Sequence, residues 1–240
     1  MNSQERVQFG KDLADMHYVF PSGMLMVGYE GALHRYHSGQ TGYEGFLQEV
    51  KWYETVNTDW FDLLTRDTYS HGHNLSISGG SEDVRYYASI GYDDEDGVSK
   101  TTYLKRYTMR VNLDADITKK LKAFLKVSGN VQKKNNLMDG LDAMDYAYNT
   151  TRALPAFNEN GSLFYFENRA YPSGYGTKMF RYNILNEIAN SSNEYNGNTV
   201  AANLELKYKV FTCWEVDVMG SYSRSNTLQE KWWGEKSHYV

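Results

Sequence analysis

The charged residues of this chain obey a rule that few folds impose. Wherever the sequence alternates apolar and polar residues with period two, Arg85, Arg110, Asp114, Lys122, Lys126, Glu205, Lys207, Glu215 and Asp217 all fall on the polar side. Successive side chains of a β-strand point to opposite faces, so each such segment has one greasy face and one that carries the charge. Residues 57–92 set the pattern. In 73–79, Leu75 and Ile77 alternate with Asn74, Ser76 and Ser78; residues 79–83 turn; then Val84, Tyr86, Ala88, Ile90 and Tyr92 share one face, and Arg85, Tyr87, Ser89 and Gly91 the other.

The pattern returns in 105–117, where Tyr107, Met109, Val111, Leu113 and Ala115 stand opposite Arg106, Thr108, Arg110, Asn112, Asp114 and Asp116. It recurs in 121–131, in 200–208 and in 214–222. That predicts about six strands of about ten residues, the length a strand needs to cross an outer membrane. A soluble sandwich shows the same alternation, because its apolar face packs inward. Three features favour the membrane. Connections alternate short and long, Tyr92, Tyr107, Tyr208, Trp214 and Tyr222 sit near the ends of apolar strands, and the apolar faces hold many small residues that fill a core poorly. The fold class read from the sequence is all-β: an antiparallel transmembrane β-barrel fragment with helix-containing extracellular loops.

Composition narrows the partners. Twenty-one tyrosines among 240 residues, with a net charge of -5 and no long basic run, argue against disorder and against a nucleic-acid partner. No apolar run approaches the roughly 18 residues of a transmembrane helix. Cys213 is the single cysteine, which excludes an internal disulfide and a cysteine zinc cluster. The first residues do not form a signal peptide, so a barrel protein of this kind is expected to begin upstream.

Short helices are expected ahead of the strands. One covers 1–18 with Ser3 as its cap, and a second covers 44–55 with Phe46, Leu47, Val50 and Trp52 or Tyr53 buried. A third turn, 59–66, follows a Thr58 or Asn57 cap, and residues 21–45 read as loop because of their glycines. A further helix is predicted over 141–154, stopped by Pro155. If the short turns are periplasmic, 1–72 is a helical extracellular loop, 73–132 two hairpins of the wall, 133–197 a long extracellular loop with a helix, and 198–240 further strands and the start of the next loop.

No G-x-S-x-G, P-loop or H-E-x-x-H motif occurs, and no paired carboxylates mark a cleft, so no catalytic residue is assigned and an enzyme is not expected. His34, His37, His71 and His73 lack the spacing of a metal site, and 93–97 reads as a solvated hairpin tip; neither a metal nor a cofactor is assigned. For substrate contact the candidates are Arg85, Tyr87, Arg110 and Asn112 on the charged face, with the loop aromatics Phe164, Tyr165, Phe166, Tyr171 and Tyr175. Aromatic faces with nearby amides are what sugar recognition uses.

With these residues in view, the chain resembles the SusC/RagA family of TonB-dependent outer-membrane transporters. The resemblance is carried by NTDWFDLLTR at 57–66, HNLSISGG at 73–80, RYYASIGY at 85–92 and the DGV that follows, LKRYTMRVNLD at 104–114 and YNILNEIANSSN at 182–193. It implies an outer-membrane importer of large nutrients, oligosaccharides before peptides, through a barrel of about 22 strands closed by a plug. It also implies a SusD-like surface lipoprotein and the TonB complex as partners, the latter through an N-terminal region, with outer-membrane lipid around the wall. No plug or TonB box is present, so the chain is expected to be an internal fragment of the parent protein. The alternatives are a soluble or surface-exposed β-sheet ligand-binding module without transport, and a small complete barrel.

Overall fold

Antiparallel pairing joins all six alternating stretches into one sheet. The computed structural model describes residues 1–20, 27–169 and 179–240. Four strands come first: β1 (Ser70–Gly80), β2 (Val84–Asp96), β3 (Tyr103–Asp116) and β4 (Leu121–Asn136). An excursion holding the small hairpin β5 (Phe166–Arg169) and β6 (Met179–Tyr182) precedes β7 (Ser191–Phe211) and β8 (Trp214–Trp233). The large sheet runs β1-β2-β3-β4-β7-β8, open at β1 and β8.

The register aligns the apolar faces of neighbouring strands. Leu75, Ile90, Met109, Gly129 and Val200 form one row, Ile77, Ala88, Val111, Val127 and Ala202 the next, and Gly79, Tyr86, Leu113, Leu125 and Leu204 the one after. Large members of these rows are exposed, Leu75 at 69% and Ile90 at 61%. Tyr92 and Tyr107 bound the band at one end with rings 4.8 Å apart, and Phe211 and Trp214 stack at the other. From Leu121 to Val131, both on this face, the ten-residue step spans about 34 Å, or about 26 Å at the roughly 40° tilt of a barrel strand. That is the height of an outer-membrane apolar band, about 25 Å. Arg224 is the exception on this face; the Asn198–Asn226 and Thr199–Ser225 contacts set it opposite Val200, one row below the tyrosines, where its long side chain reaches the rim. A Cβ on Gly79 would lie 2.7 Å from Tyr86 Oη, so the Tyr86 ring covers bare backbone of the edge strand.

Strands outrun their apolar stretches. The acidic run 93–97 is not a hairpin tip: β2 continues through Asp96, because Arg106 donates to Asp93 Oδ2 through Nε at 3.1 Å and Nη2 at 3.0 Å and Lys105 faces Asp94 at 3.3 Å. The turn comes after it, with Gly97 N donating to Thr102 O. Likewise β7 starts at Ser191, where both faces are polar and no hydrophobic period could mark a strand, and β8 runs on to Trp233.

A second unit comprises Met1–Arg66, Met138–Ser191 and Trp233–Val240. It is built on α1 (Ser3–Asp15), α2 (Gly28–His37) and α3 (Tyr43–Thr55), whose buried Val7, Ala32, Phe46, Val50 and Tyr53 form one core. Burial pushes the Tyr53 phenol up to about 12. Asn2, not Ser3, caps α1: Asn2 Oδ1 accepts from Glu5 N and Glu5 Oε2 from Asn2 N, both at 2.8 Å. Ser3 is already inside and 1% exposed. Helix α2 overturns the loop reading of 21–45 across Gly28–His37. Gly31 lies inside the helix without breaking it, and a Cβ on Gly10 of α1 would sit 3.1 Å from the Glu30 carboxyl of α2. Glu30, fully buried, pairs with Arg6 at 2.5 Å. Of the residues expected to be buried in α3, Leu47 is instead 47% exposed.

The next elements are shorter than expected. In α4 (Trp60–Leu64) the cap is Asp59, not Thr58 or Asn57. Only Ala143–Asn149 of the segment 141–154 is helical, forming α5, which Asp142 caps through Met144 N and Asp145 N. Beyond Thr150 the carbonyls serve neighbours: Thr151 O accepts from Trp60 Nε1 at 3.2 Å and Arg152 O from Thr58 N at 3.0 Å. A short α6 (Ile184–Ala189) completes the unit.

Asp59 joins the two sides of this arrangement. It accepts from Asp62 N at 3.2 Å and from Arg152 Nη2 at 2.8 Å, and these bonds hold its carboxyl below the usual carboxylate range. A depressed carboxyl pKa contributes stability above the unfolded value and loses it as pH falls through the folded one. Asp59→Ala is therefore expected to cost about 1 kcal/mol at neutral pH, and the gap to the parent to close in acid. Urea titrations at both ends of that range check it.

Candidate functional site

The opposite face of the sheet carries the residues that chemistry would use. Tyr87 stands directly across from Asn112, Arg85 across from Asp114 and Arg110 across from Ser89. The strand period therefore brings Arg85, Tyr87, Arg110 and Asn112 together on one face, as their spacing requires. Arg85 and Arg110 are exposed, while Tyr87 and Asn112 are half-buried.

Charge on this face is compensated at both ends. Towards the long connections, Arg106 pairs with Asp93 at 3.0 Å. Towards the short turns, Lys122 pairs with Asp116 at 3.0 Å, and Lys207 lies 2.9 Å from Glu205 and 3.6 Å from Asp217. Between them are three rows: Asn74, Gly91, Thr108, Asn130 and Thr199; Ser76, Ser89, Arg110, Ser128 and Ala201; and Ser78, Tyr87, Asn112, Lys126 and Asn203. Thr199 shares a 3.0 Å hydroxyl contact with Ser225 of β8. Lys126 and Asn203, absent from the expected site, have the same facing as Asn112 in adjoining strands; register alone would have found them.

The loop aromatics are not part of this group. Phe164 packs its ring 5.9 Å from that of Trp52, and its carbonyl accepts from Asn183 Nδ2 at 2.8 Å. Tyr165 Oη donates to Asn186 Oδ1 at 3.1 Å. Both belong to a polar hub around α6, which gives the segment 182–193 its physical meaning. Asn183 caps the helix through Leu185 N at 2.9 Å and also donates to Ala156 O at 3.0 Å. Asn186 Nδ2 donates to Lys236 O at 2.8 Å. Glu187, fully buried, accepts from Ser237 Oγ at 2.5 Å and Asn186 Nδ2 at 2.9 Å and lies 3.0 Å from His238 Nδ1. Burial also pushes the Tyr182 phenol up beside Tyr146 and His238. Phe166 opens β5 opposite Tyr182, but its side chain, together with Tyr171 and Tyr175, lies outside the described residues.

His71 and His73 stack edge to face at 5.3 Å, with His71 also against Tyr69 and Tyr92, an aromatic cluster at the band's upper rim. His34 and His37 lie on α2, and Cys213 is exposed in the turn between β7 and β8.

A sheet with a membrane-high apolar face and a charged, hydroxyl-rich reverse is the wall of a membrane β-barrel, here an unclosed segment of one. No family model matches the chain. It is 37% identical over 106 residues to the TonB-dependent receptor P26 of Formosa agariphila, covering 44% of this chain and 10% of that protein. With the TonB-dependent receptor SusC of Bacteroides thetaiotaomicron it shares 28% over 167 residues, covering 65% of this chain and 17% of that protein. The fold is similar to that in the structure of the RagAB peptide transporter, at a TM-score of 0.59 and 21% identity, covering 74% of this chain and 20% of that one. The chain is similar in sequence to TonB-dependent receptors, SusC among them, and in fold to the RagAB transporter, and it spans less than a fifth of the length of the two receptors.

Proposed function

We propose that this chain is part of the wall of an outer-membrane importer of large nutrients, driven by the TonB complex and working with a SusD-like surface lipoprotein. Oligosaccharides are the first cargo class and peptides the second. One observation carries the reading: across β1 to β4 and β7 the apolar rows are continuous on one face, and Arg85, Arg110, Asp114, Lys126 and Glu205 lie on the other. The lipid cost of charge explains that division, and the apolar rows lie exposed rather than packed inward as in a soluble sandwich. The relatives are receptors by name, one of the solved structures is a peptide transporter, and no enzyme is among them. In this reading 73–132 and 198–240 contribute wall strands, and 1–72 and 133–197 are extracellular. The chain leaves the sheet for its second unit at the start of β1, the end of β4, the start of β7 and the end of β8, all at one end of the strands, which fits that assignment.

Cells of the source organism lacking the gene are expected to lose uptake of a fluorescent oligosaccharide, and the intact protein to fractionate with the outer membrane together with a lipoprotein. A protein recovered without detergent in the soluble fraction would put the ligand-binding module in its place.

A further inference from the structure

The middle of the charged face differs from its two ends. At the ends, cations are matched by acids within ion-pair distance, as in Arg106 with Asp93 and Lys122 with Asp116. In the three rows between, the charged residues of β1 to β4 and β7 are Arg110 and Lys126, and both are cations. Neither forms an ion pair among the described residues. Across the strands Arg110 has Ser89 on one side and Ser128 on the other, so hydroxyl groups border the guanidinium and no carboxylate does. On β8, Met219, Ser221 and Ser223 are the residues with this facing between Asp217 and Ser225, and they add no acid. In a chain of net charge -5, with acids opposite most other strand cations, an acid-free window is not an average of the composition.

We infer that this window is an anion-binding station, with Arg110 as its fork, Lys126 as a second positive charge and the flanking serines as hydroxyl donors. The inference rests on the proposal that this face lines the lumen. The chemistry it fits is a carboxylate or sulfate carried on the cargo. Guanidinium recognises both in two-pronged geometry, an ammonium adds a point charge, and hydroxyls complete the oxygen contacts. A neutral sugar would use the hydroxyl carpet equally well but would leave the Arg110 guanidinium without counter-charge in a narrowed, poorly screened space, whereas Lys126 also feels Glu205. Acidic glycans or peptides with free carboxylates are therefore the preferred cargo.

The test uses the intact protein, purified in detergent, and a panel of oligosaccharides and peptides prepared in pairs, each as the free acid and as its neutral methyl ester. Calorimetric titration is expected to show the acid form bound about tenfold more tightly than its ester, the worth of one charge-assisted contact. Arg110→Gln with Lys126→Gln is expected to bring the two forms level, while heat-modified migration on gels shows the barrel still folded. Equal affinity within pairs, binding of neither member, or a ratio that survives the double substitution overturns the inference. A fall in melting temperature of the double variant with the ratio unchanged also overturns it, and assigns the cations to an acidic segment of the protein itself. Loss of all uptake from the gene-deleted strain remains the separate test of the transport reading: a transporter that ignores charge fails here and passes there.

Discussion

Val111→Arg in the intact protein, reconstituted in lipid, is expected to cost about 2 to 4 kcal/mol of folding stability, whereas Asn130→Arg is expected to cost less than about 1 kcal/mol. The two positions lie on the adjoining strands β3 and β4, three residues apart in register, about 10 Å along the strand. Val111 stands between Ala88 and Val127 in the middle of the outward apolar band, so an arginine there must desolvate or drag its head to a rim several rows away. Asn130 stands between Thr108 and Thr199 on the reverse, where water and hydroxyls receive a charge. Guanidine titration of the two variants in the same bilayer measures the difference. Equal costs would mean that the apolar face meets protein rather than lipid, and the barrel reading would fail with it.

Asn183→Ala is expected to have an effect of similar size on the second unit, about 3 to 5 kcal/mol. The Asn183 side chain is 2% exposed and makes three bonds at once: it accepts from Leu185 N to start α6, and donates to Ala156 O and to Phe164 O. Alanine removes the cap and both amide donations, leaving Phe164 O without this donor while Ala156 O keeps its bond from Phe164 N, so the loss exceeds that of an exposed cap. Asn183→Asp keeps the acceptor and loses the donors, and should fall between the two. Amide hydrogen exchange across 156–165 and 184–190 is the readout, with protection falling at least a hundredfold in the alanine variant if about 3 kcal/mol is lost. Unchanged protection would show that the hub is held by Glu187 and the aromatic packing alone.

How far these features could be read without coordinates depended on the range of the interactions that make them. The strand pairs and their facing were legible, because period two is a local property and the cost of misplacing Arg110 or Val111 acts on each position separately. The grouping of Arg85, Tyr87, Arg110 and Asn112 followed from the same parity. Strand ends were less legible. Asp93 and Asp94 look like a hairpin tip until Arg106 and Lys105 are seen opposite them, and 191–199 shows no alternation because neither face there is apolar. Helix α2 was hidden by glycines that read as breaks in isolation, while its Ala32 is held in one core with Val7 of α1. Phe164 and Tyr165 looked like free loop aromatics; Trp52 and Asn186, distant in sequence, hold them.

By itself, then, the sequence determined the number of long strands and which side of each is apolar, since alternation is written residue by residue. Tertiary structure alone decided which cations keep an acid beside them and which, like Arg110 between Ser89 and Ser128, do not. It also decided that Asn183 and Asn186 form a structural hub around α6. Ion pairs and buried amide bonds depend on cross-strand register and on contacts between distant segments, and no local pattern in the chain encodes either.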